Sequence, residues 1–134
     1  MSSFSPSPYT YGALGKVAIV GSAPAISDFH KWLHPEIAIA SAPMPLGRLD
    51  AAELTAMGER LAQVFDFIHT YDHSDLAFFS CTSGSLIGGE GYDEKLCQLC
   101  AEAAHTETAY TTSTAVRQAF EALQVQKMSI ITPY

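Results

Sequence analysis

Residues 75–89 read DLAFFSCTSGSLIGG, an apolar run that gives way to hydroxyl side chains and glycines. A short apolar run that is bounded by turn-forming residues is typical of a buried β-strand. The hydroxyl-rich loop CTSGS (81–85) then leads toward a helix. The stretch therefore predicts a strand whose carboxyl end carries a cysteine, Cys81.

Strands and helices alternate on both sides of this stretch. Strands are predicted in five segments: KVAIVGS (16–22), EIAIASAP (36–43), DLAFFSC (75–81), TETAYT (106–111) and KMSIITP (127–133). Helices are predicted around 26–33, from Asp50 along a segment whose apolar residues recur every three or four positions, at 91–105 and at 113–124. This alternation predicts an α/β fold: a flavodoxin-like parallel sheet with helices on both faces and right-handed crossovers.

The chain has 134 residues, about the size of one domain. Residues 1–14 are expected to form a loose leader and residues 15–134 a single α/β domain. The leader has neither the basic start nor the apolar centre of a signal peptide, so a cytoplasmic location is expected. No apolar run reaches the ~18 residues of a membrane span, so the sequence predicts no membrane partner.

The charge of the chain bears on its partners. A net charge of −7 argues against nucleic acid, which is bound by clustered Lys and Arg, whereas the seven basic residues here are scattered from Lys16 to Lys127. None of them lies in CTSGS (81–85) or TTSTA (111–115). An anion held by these loops must therefore be bound by backbone N–H groups and hydroxyls, which is feasible for a carboxylate.

The loops that follow the strands predict where a ligand binds. In open parallel sheets, ligands bind at the carboxyl ends of the strands, near the point where the strand order switches. The loops GSAPA (21–25), CTSGS (81–85) and TTSTA (111–115) are expected to converge there, and TPY (132–134) follows the fifth predicted strand. The hydroxyl-rich loops lead toward helix N-termini, whose free N–H groups favour an anion.

The motifs CTSGSLIGG (81–89), TTSTAV (111–116) and ITPY (131–134) together resemble the N-terminal half of the aspartate/glutamate racemase superfamily. The most similar branch is that of the maleate isomerases and arylmalonate decarboxylases, and the resemblance extends from Gly15 to Tyr134. It implies one half of a cofactor-free, two-domain, pseudo-symmetric enzyme. The two halves of such an enzyme close around a small carboxylate, and each offers one position for a catalytic cysteine.

The resemblance also implies roles for individual residues. Cys81 matches the catalytic cysteine of the first half, Thr82 and Ser83 match carboxylate-binding positions, and Tyr134 matches an active-site tyrosine. Departures from the family pattern are also present. The decarboxylase branch has glycine at the position of Cys81 and a tyrosine near the position of Leu54, and maleate isomerases have an asparagine in the loop that here reads GSAPA (21–25).

The cysteine at this position favours isomerase or racemase chemistry over decarboxylation. The predicted function is therefore a cofactor-independent isomerase or racemase, similar to maleate cis-trans isomerase, that acts on a small carboxylate or dicarboxylate. Two alternatives remain: an enzyme similar to arylmalonate decarboxylase, or a catalytically incomplete half that only binds a carboxylate. A homo-oligomer also stays open, because a twofold dimer would bring two Cys81 side chains together.

The chemistry follows from the residue types. Thiolate is the reactive form of cysteine, and it can add to an alkene carbon or remove a proton α to a carboxylate. Both routes build negative charge on the substrate carboxylate. Four hydroxyl residues are placed to stabilise that charge together with their neighbouring amides: Thr82, Ser83, Thr112 and Ser113. This chemistry needs no metal ion.

Other polar residues have simpler interpretations. Cys97 and Cys100 form a C-x-x-C inside a predicted helix and are interpreted as packing residues, because a second pair of ligands is lacking. With an odd number of cysteines, reduced thiols are expected. His69 and His73 have a spacing that could bind a metal, but they are interpreted as solvated side chains at a polar helix end. Taken alone, TTSTA (111–115) is typical of a helix N-cap.

Overall fold

The computed structural model describes residues 14–44 and 51–131. Helices and strands alternate along them in this order: β1 (Gly15–Gly21), α1 (Ala23–Trp32), β2 (Ile37–Pro43), α2 (Ala51–Tyr71), β3 (Leu76–Ser80), α3 (Thr82–Leu86), α4 (Tyr92–Ala104), β4 (Ala109–Thr111) and α5 (Thr112–Ala122). No helix in these two ranges combines the length and the apolar character needed to cross a membrane.

The four strands form one parallel sheet in the order β2-β1-β3-β4. The chain leaves β1 toward one edge, returns past it to β3 and continues to β4, which is the flavodoxin-like order. The predicted α/β fold with a parallel sheet is therefore confirmed. In this order, the connections lead to opposite edges of the sheet on either side of the β1–β3 pair. The loops that follow β1 and β3 therefore begin side by side.

Helices cover both faces of the sheet because neighbouring side chains of a strand point to opposite sides. On one face, Phe79 of β3 is fully buried in the core with Phe65 of α2. On the other face, the ring of Phe78 meets Phe29 of α1 edge-on, with centroids 5.0 Å apart. Full burial of a side chain, as for Phe65 and Phe79, stabilises the fold by about 1.5–3 kcal/mol.

The long helix α2 supplies the largest part of this core. Its side chains Met57, Leu61, Phe65 and Ile68 are buried at spacings of three and four, as the periodicity of the sequence predicts. Helix α4 packs beside α2 on the same face through Leu96, Cys100 and Ala104. The start of α2 predicted at Asp50 lies outside the described residues.

The prediction of a fifth strand at 127–133 is wrong for the residues that the structure describes. Residues 127–131 follow α5 without joining the sheet, and the side chain of Ile131 is fully exposed. A strand requires a partner with which to exchange hydrogen bonds, and β4 spans only Ala109–Thr111, so it presents a short edge. Residues 132–134, which include Tyr134, lie outside the described residues.

The sequence predicts a hydroxyl-rich loop at CTSGS (81–85), after which a helix begins. The segment Thr82–Leu86 instead forms a single short helix directly after β3. Its first turn closes through a hydrogen bond from the Ser85 N–H to the Cys81 carbonyl, 3.0 Å long. This turn decides how the side chains of the CTSGS segment are oriented.

Candidate active site

Cys81 lies at the junction of β3 and α3, where it is the N-cap residue of the short helix. Its backbone is extended, with φ −150° and ψ 109°, and its sulfur accepts a hydrogen bond from the Gly84 N–H at 3.4 Å. The hydroxyl oxygen of Ser83 lies 3.8 Å from the same sulfur. The thiol thus has two polar neighbours. Because it is only half-buried, it is still in contact with solvent.

Gly84 allows the thiol and the core to approach each other. A Cβ atom at position 84 would lie 2.5 Å from the Met57 Cε atom and 3.0 Å from the Cys81 sulfur. The first distance is shorter than real Cβ atoms show and the second is tighter than most, so the end of the Met57 side chain and the sulfur would have to shift. Glycine therefore lets the Met57 thioether pack under the turn while the Gly84 N–H faces the sulfur.

A second close approach joins the ends of β1 and β3. Gly21 and Ser80 are register partners in the parallel ladder, and a Cβ atom at position 21 would lie 2.8 Å from the Ser80 Cβ atom. Glycine at the end of β1 thus brings the loop that begins at Ser22 against the loop that begins at Cys81. The convergence predicted for these loops is confirmed.

A cavity of about 320 Å³ opens at this edge of the sheet. That volume lies at the lower end of the range of small-molecule sites. Its wall combines the thiol with five hydroxyl side chains and two apolar ones: Ser22, Ala25, Met44, Ser80, Cys81, Thr82, Ser83 and Thr112. None of these residues is basic, so a bound anion would be held by hydroxyls and backbone N–H groups.

The TTSTA segment divides its hydroxyls between two uses. Thr111 caps α5: its hydroxyl accepts from the Thr114 N–H at 3.2 Å, and the Thr114 hydroxyl accepts from the Thr111 N–H at 2.7 Å. Both side chains are buried. Thr112, between them, lines the cavity. The N-cap interpretation is thus confirmed for Thr111, while Thr112 is left facing the cavity.

The predicted site residues do not all meet in the cavity. Cys81, Thr82, Ser83 and Thr112 line it, but Ser113 does not. The Ser113 hydroxyl instead lies 2.7 Å from the hydroxyl of Ser85, a residue that the sequence did not single out. The contact of Ser85 with Ser113 follows from the turn of α3. In the sequence, nothing distinguishes Ser85 from the other hydroxyl residues of CTSGS (81–85).

A larger groove of about 720 Å³ adjoins the cavity and shares Thr82 and Thr112 with it. It runs along α5, where its wall includes the exposed apolar side chains of Leu86, Val116 and Phe120. A ligand bound by the two threonines could therefore extend onto an apolar surface.

The remaining sequence candidates lie away from this edge. Cys100 is fully buried in the core, and burial, with a smaller contribution from Cys97, raises the pKa of its thiol well above the ordinary value. The packing interpretation of Cys100 is confirmed. Cys97 is half-buried, with its sulfur 3.6 Å from the Thr114 hydroxyl.

Three of the five histidines form a cluster at the opposite end of the sheet, where β3 and β4 begin. The ring of His69 lies 4.6 Å from that of His73 and stacks on that of His105 at 4.2 Å, centroid to centroid. In residues 14–44 and 51–131, no group of three His, Cys, Asp or Glu side chains is arranged to hold a metal ion.

The fold and the cavity define the class of domain: a flavodoxin-like α/β domain with a thiol beside a cavity at the carboxyl ends of its strands. No protein-family model and no curated protein matches the sequence. Solved structures do share the fold. The maleate isomerase from Pseudomonas putida superposes with a TM-score of 0.71 at 16% identity, covering 89% of this chain and 53% of that one.

Arylmalonate decarboxylase is a second structural neighbour. A mutant with a glycine-to-cysteine and a cysteine-to-serine substitution, in its liganded form, gives a TM-score of 0.69 at 20% identity, covering 83% of this chain and 47% of that one. The unliganded enzyme gives 0.66 at 20% identity, covering 81% and 46%. The resemblance predicted from the motifs is thus confirmed at the level of the fold. This chain spans about half the length of these structures.

Proposed function

We propose that this chain forms one half of a cofactor-independent isomerase or racemase of the aspartate/glutamate racemase superfamily. It would act in the cytoplasm on a small carboxylate or dicarboxylate, as maleate cis-trans isomerase does, through the thiol of Cys81. The observation that carries the proposal is the cavity at the carboxyl ends of β1, β3 and β4, where this thiol shares a wall with five hydroxyl residues. Two structural neighbours that act on small carboxylates by name support it.

In the isomerase reaction, the Cys81 thiolate adds to one alkene carbon of an unsaturated acid. A C–S bond forms, and the π electrons move toward the substrate carboxylate as an enolate. The former double bond is then single and rotates, after which the electrons return, the C–S bond breaks and the thiolate leaves. In the racemase reaction, the thiolate takes the α-proton and the C–H electrons form the same enolate. An acid on the other side of the substrate, which the second half of the enzyme would supply, then donates a proton to the opposite face.

Both reactions place negative charge on the substrate carboxylate. We assign its stabilisation to the hydroxyls and neighbouring N–H groups of Thr82, Ser83 and Thr112, which line the cavity with Cys81. Neither reaction transfers electrons or a hydride to a second molecule, so the chemistry requires no redox cofactor. Tyr134 remains a predicted site residue of this enzyme.

Decarboxylation is the second candidate, and the apolar groove favours it. An aryl substituent could lie against Leu86, Val116 and Phe120 while a carboxylate is held by Thr82 and Thr112. The C–C bond to a second carboxylate would then break and CO₂ would leave. The electrons of that bond would stay on the substrate as an enolate. The Cys81 thiol would donate a proton to the enolate carbon and so complete the product.

The two reactions are separated by assays on the purified chain, with Cys81→Ala as the active-site variant and Cys97→Ala as the matched control. We would follow maleate-to-fumarate conversion and α-proton exchange of aspartate in D₂O by NMR, and CO₂ release from phenylmalonate. Isomerisation or exchange that is lost in Cys81→Ala and kept in Cys97→Ala supports the proposal. Activity that survives Cys81→Ala overturns the proposal. Malonate binding without activity in any assembly state identifies the catalytically incomplete half, and absence of both overturns the proposal as well.

A further inference from the structure

Ser85 occupies a position between the two loops that supply the cavity's threonines. Its side chain is 1% exposed, and its hydroxyl makes three polar contacts: with the Thr82 carbonyl at 3.1 Å, the Ser113 N–H at 3.3 Å and the Ser113 hydroxyl at 2.7 Å. Ser85 and Ser113 are 28 residues apart in the sequence. One buried oxygen thus connects the start of α3 with the start of α5.

These contacts use the full hydrogen-bonding capacity of a hydroxyl, which has one proton and two lone pairs. The Thr82 carbonyl can only accept, so Ser85 donates its single proton there. Its lone pairs then accept from the Ser113 N–H and the Ser113 hydroxyl. Both donors of Ser113 are thereby committed to Ser85, and neither is left for a substrate carboxylate.

The atoms that Ser85 holds belong to the peptide groups beside the two shared threonines. The Thr82 carbonyl begins the peptide that follows Thr82, and the Ser113 N–H ends the peptide that follows Thr112. No hydrogen bond to the hydroxyl of either threonine is found within the described part of the chain. These hydroxyls remain free to bind a ligand, and Ser85 connects the peptide groups beside them.

We infer that Ser85 is a positioning residue of the carboxylate site: through Ser113 and the Thr82 carbonyl it holds Thr82 and Thr112 at the separation that a carboxylate needs. The inference rests on the proposed function, because it assumes that these threonines bind the substrate. Ser113 then acts through Ser85 and not as a direct donor. Donors that are held by a buried hydrogen-bonded support keep their geometry, and small misplacements of them weaken binding strongly.

Malonate serves as the probe, and its dissociation constant is measured from the backbone amide shifts of Thr82, Ser83 and Thr112 in an NMR titration. We expect Ser85→Ala to weaken malonate binding roughly 5- to 10-fold, the effect of losing about one net hydrogen bond. Ser113→Ala, at a less buried residue, should have the same effect. The double variant should be no weaker than either single variant, because the two hydroxyls act as a unit.

Two controls separate this inference from simpler explanations. Ser74→Ala removes another hydroxyl that is buried, but that has no hydrogen-bond partner in the described residues, and it should leave malonate binding unchanged. Thr112→Val removes a proposed direct donor and should abolish binding. Loss of binding in Thr112→Val with unchanged binding in Ser85→Ala and Ser113→Ala overturns the role of Ser85 alone, even if thermal stability falls. Unchanged binding in Thr112→Val overturns the carboxylate site itself.

Discussion

The backbone N–H of Gly84 donates a hydrogen bond to the sulfur of Cys81 across one turn of α3, with 3.4 Å between the two atoms. This contact joins the thiol to a backbone position at which an added side chain would crowd Met57 and the sulfur. The Met57 thioether lies against the same glycine from the core. The thiol, the turn and the core therefore form a unit that can be tested by substitution.

Gly84→Ala should destabilise the fold by about 1–3 kcal/mol, because the new methyl group would overlap Met57 and the Cys81 sulfur. It should also slow alkylation of Cys81, since the turn must shift. The matched control is Gly58→Ala in α2, where an added Cβ meets nothing within 4 Å and should be neutral or stabilising by up to about 1 kcal/mol. Equal urea midpoints for the two variants would contradict the packing described for Gly84.

Cys81 should be the thiol that iodoacetamide modifies fastest near neutral pH. It is half-buried beside a cavity, whereas Cys100 is fully buried and burial raises the pKa of its thiol. Mass spectrometry after brief treatment measures the extent of labelling at each cysteine. Faster labelling of Cys97 or Cys100 would show that the accessible thiol lies elsewhere.

The double substitution Thr82→Val with Ser83→Ala should abolish malonate-induced chemical-shift changes, because it removes two of the hydroxyls that line the cavity. Thr70→Val is the matched control: its hydroxyl donates to the Asp66 carbonyl on α2, neither residue lines the cavity, and malonate binding should persist. An unchanged titration in the double variant would place any bound anion outside this cavity.

Ionisation of Cys100 predicts a loss of stability at high pH. Burial raises the pKa of this thiol in the native state above its ordinary value, so at high pH the unfolded chain releases a proton that the native chain retains. The protonated thiol makes its full contribution to the free energy of unfolding below the pKa of the unfolded state. Above that pKa the contribution is lost, and the free energy of unfolding falls by up to about 1.4 kcal/mol per pH unit.

The measurement is the urea unfolding free energy between pH 7.5 and pH 10, compared with that of Cys100→Ala. The variant should be less stable at neutral pH because it leaves a small cavity. Its stability should fall less steeply above pH 9. If the stability of the two proteins falls equally with pH, the pKa of the Cys100 thiol is the same in the native and the unfolded state, which contradicts the prediction.

A monomer of this chain should be inactive as a racemase. Protonation from the opposite face of a substrate requires a second acid or base, and within the described residues Cys81 is the one thiol that lines the cavity. Size-exclusion chromatography with light scattering, combined with the D₂O exchange assay, tests this expectation. Turnover by a demonstrated monomer would refute it, whereas turnover by a dimer that is lost in Cys81→Ala would indicate two Cys81 side chains acting face to face.

The strands and helices that position the site can be predicted, because each is indicated by the pattern of apolar and polar residues within its own segment. An apolar run that stops at Cys81 predicts a strand end whatever lies around it, and the period of Met57, Leu61 and Phe65 predicts a helix with one buried face. Strict alternation of such elements predicts a parallel sheet. It also predicts that the loops after the strands meet at one edge, as Ser22, Cys81 and Thr112 do.

The same local signals failed where a partner in space was needed. The apolar residues near Ile130 and Ile131 resemble a strand, but β4 spans only three residues, and residues 127–131 do not pair with it. The hydroxyls of CTSGS predict a loop, but a turn of helix forms there because Gly84 lets the backbone pack against Met57. Pairing and packing depend on neighbours that the sequence window does not contain.

The order of strands and helices, the parallel sheet and the thiol among hydroxyls at the strand ends can be read from the sequence, because they follow from periodicity and chain connection. Tertiary structure alone decided which hydroxyls face the cavity. Thr111 and Thr114 cap α5, Ser113 is bound to Ser85, and Thr112 remains free toward the cavity. Four neighbouring hydroxyl residues look alike in sequence, and they differ because a hydrogen bond requires a partner at the right distance and angle, which only the folded arrangement of α3 and α5 provides.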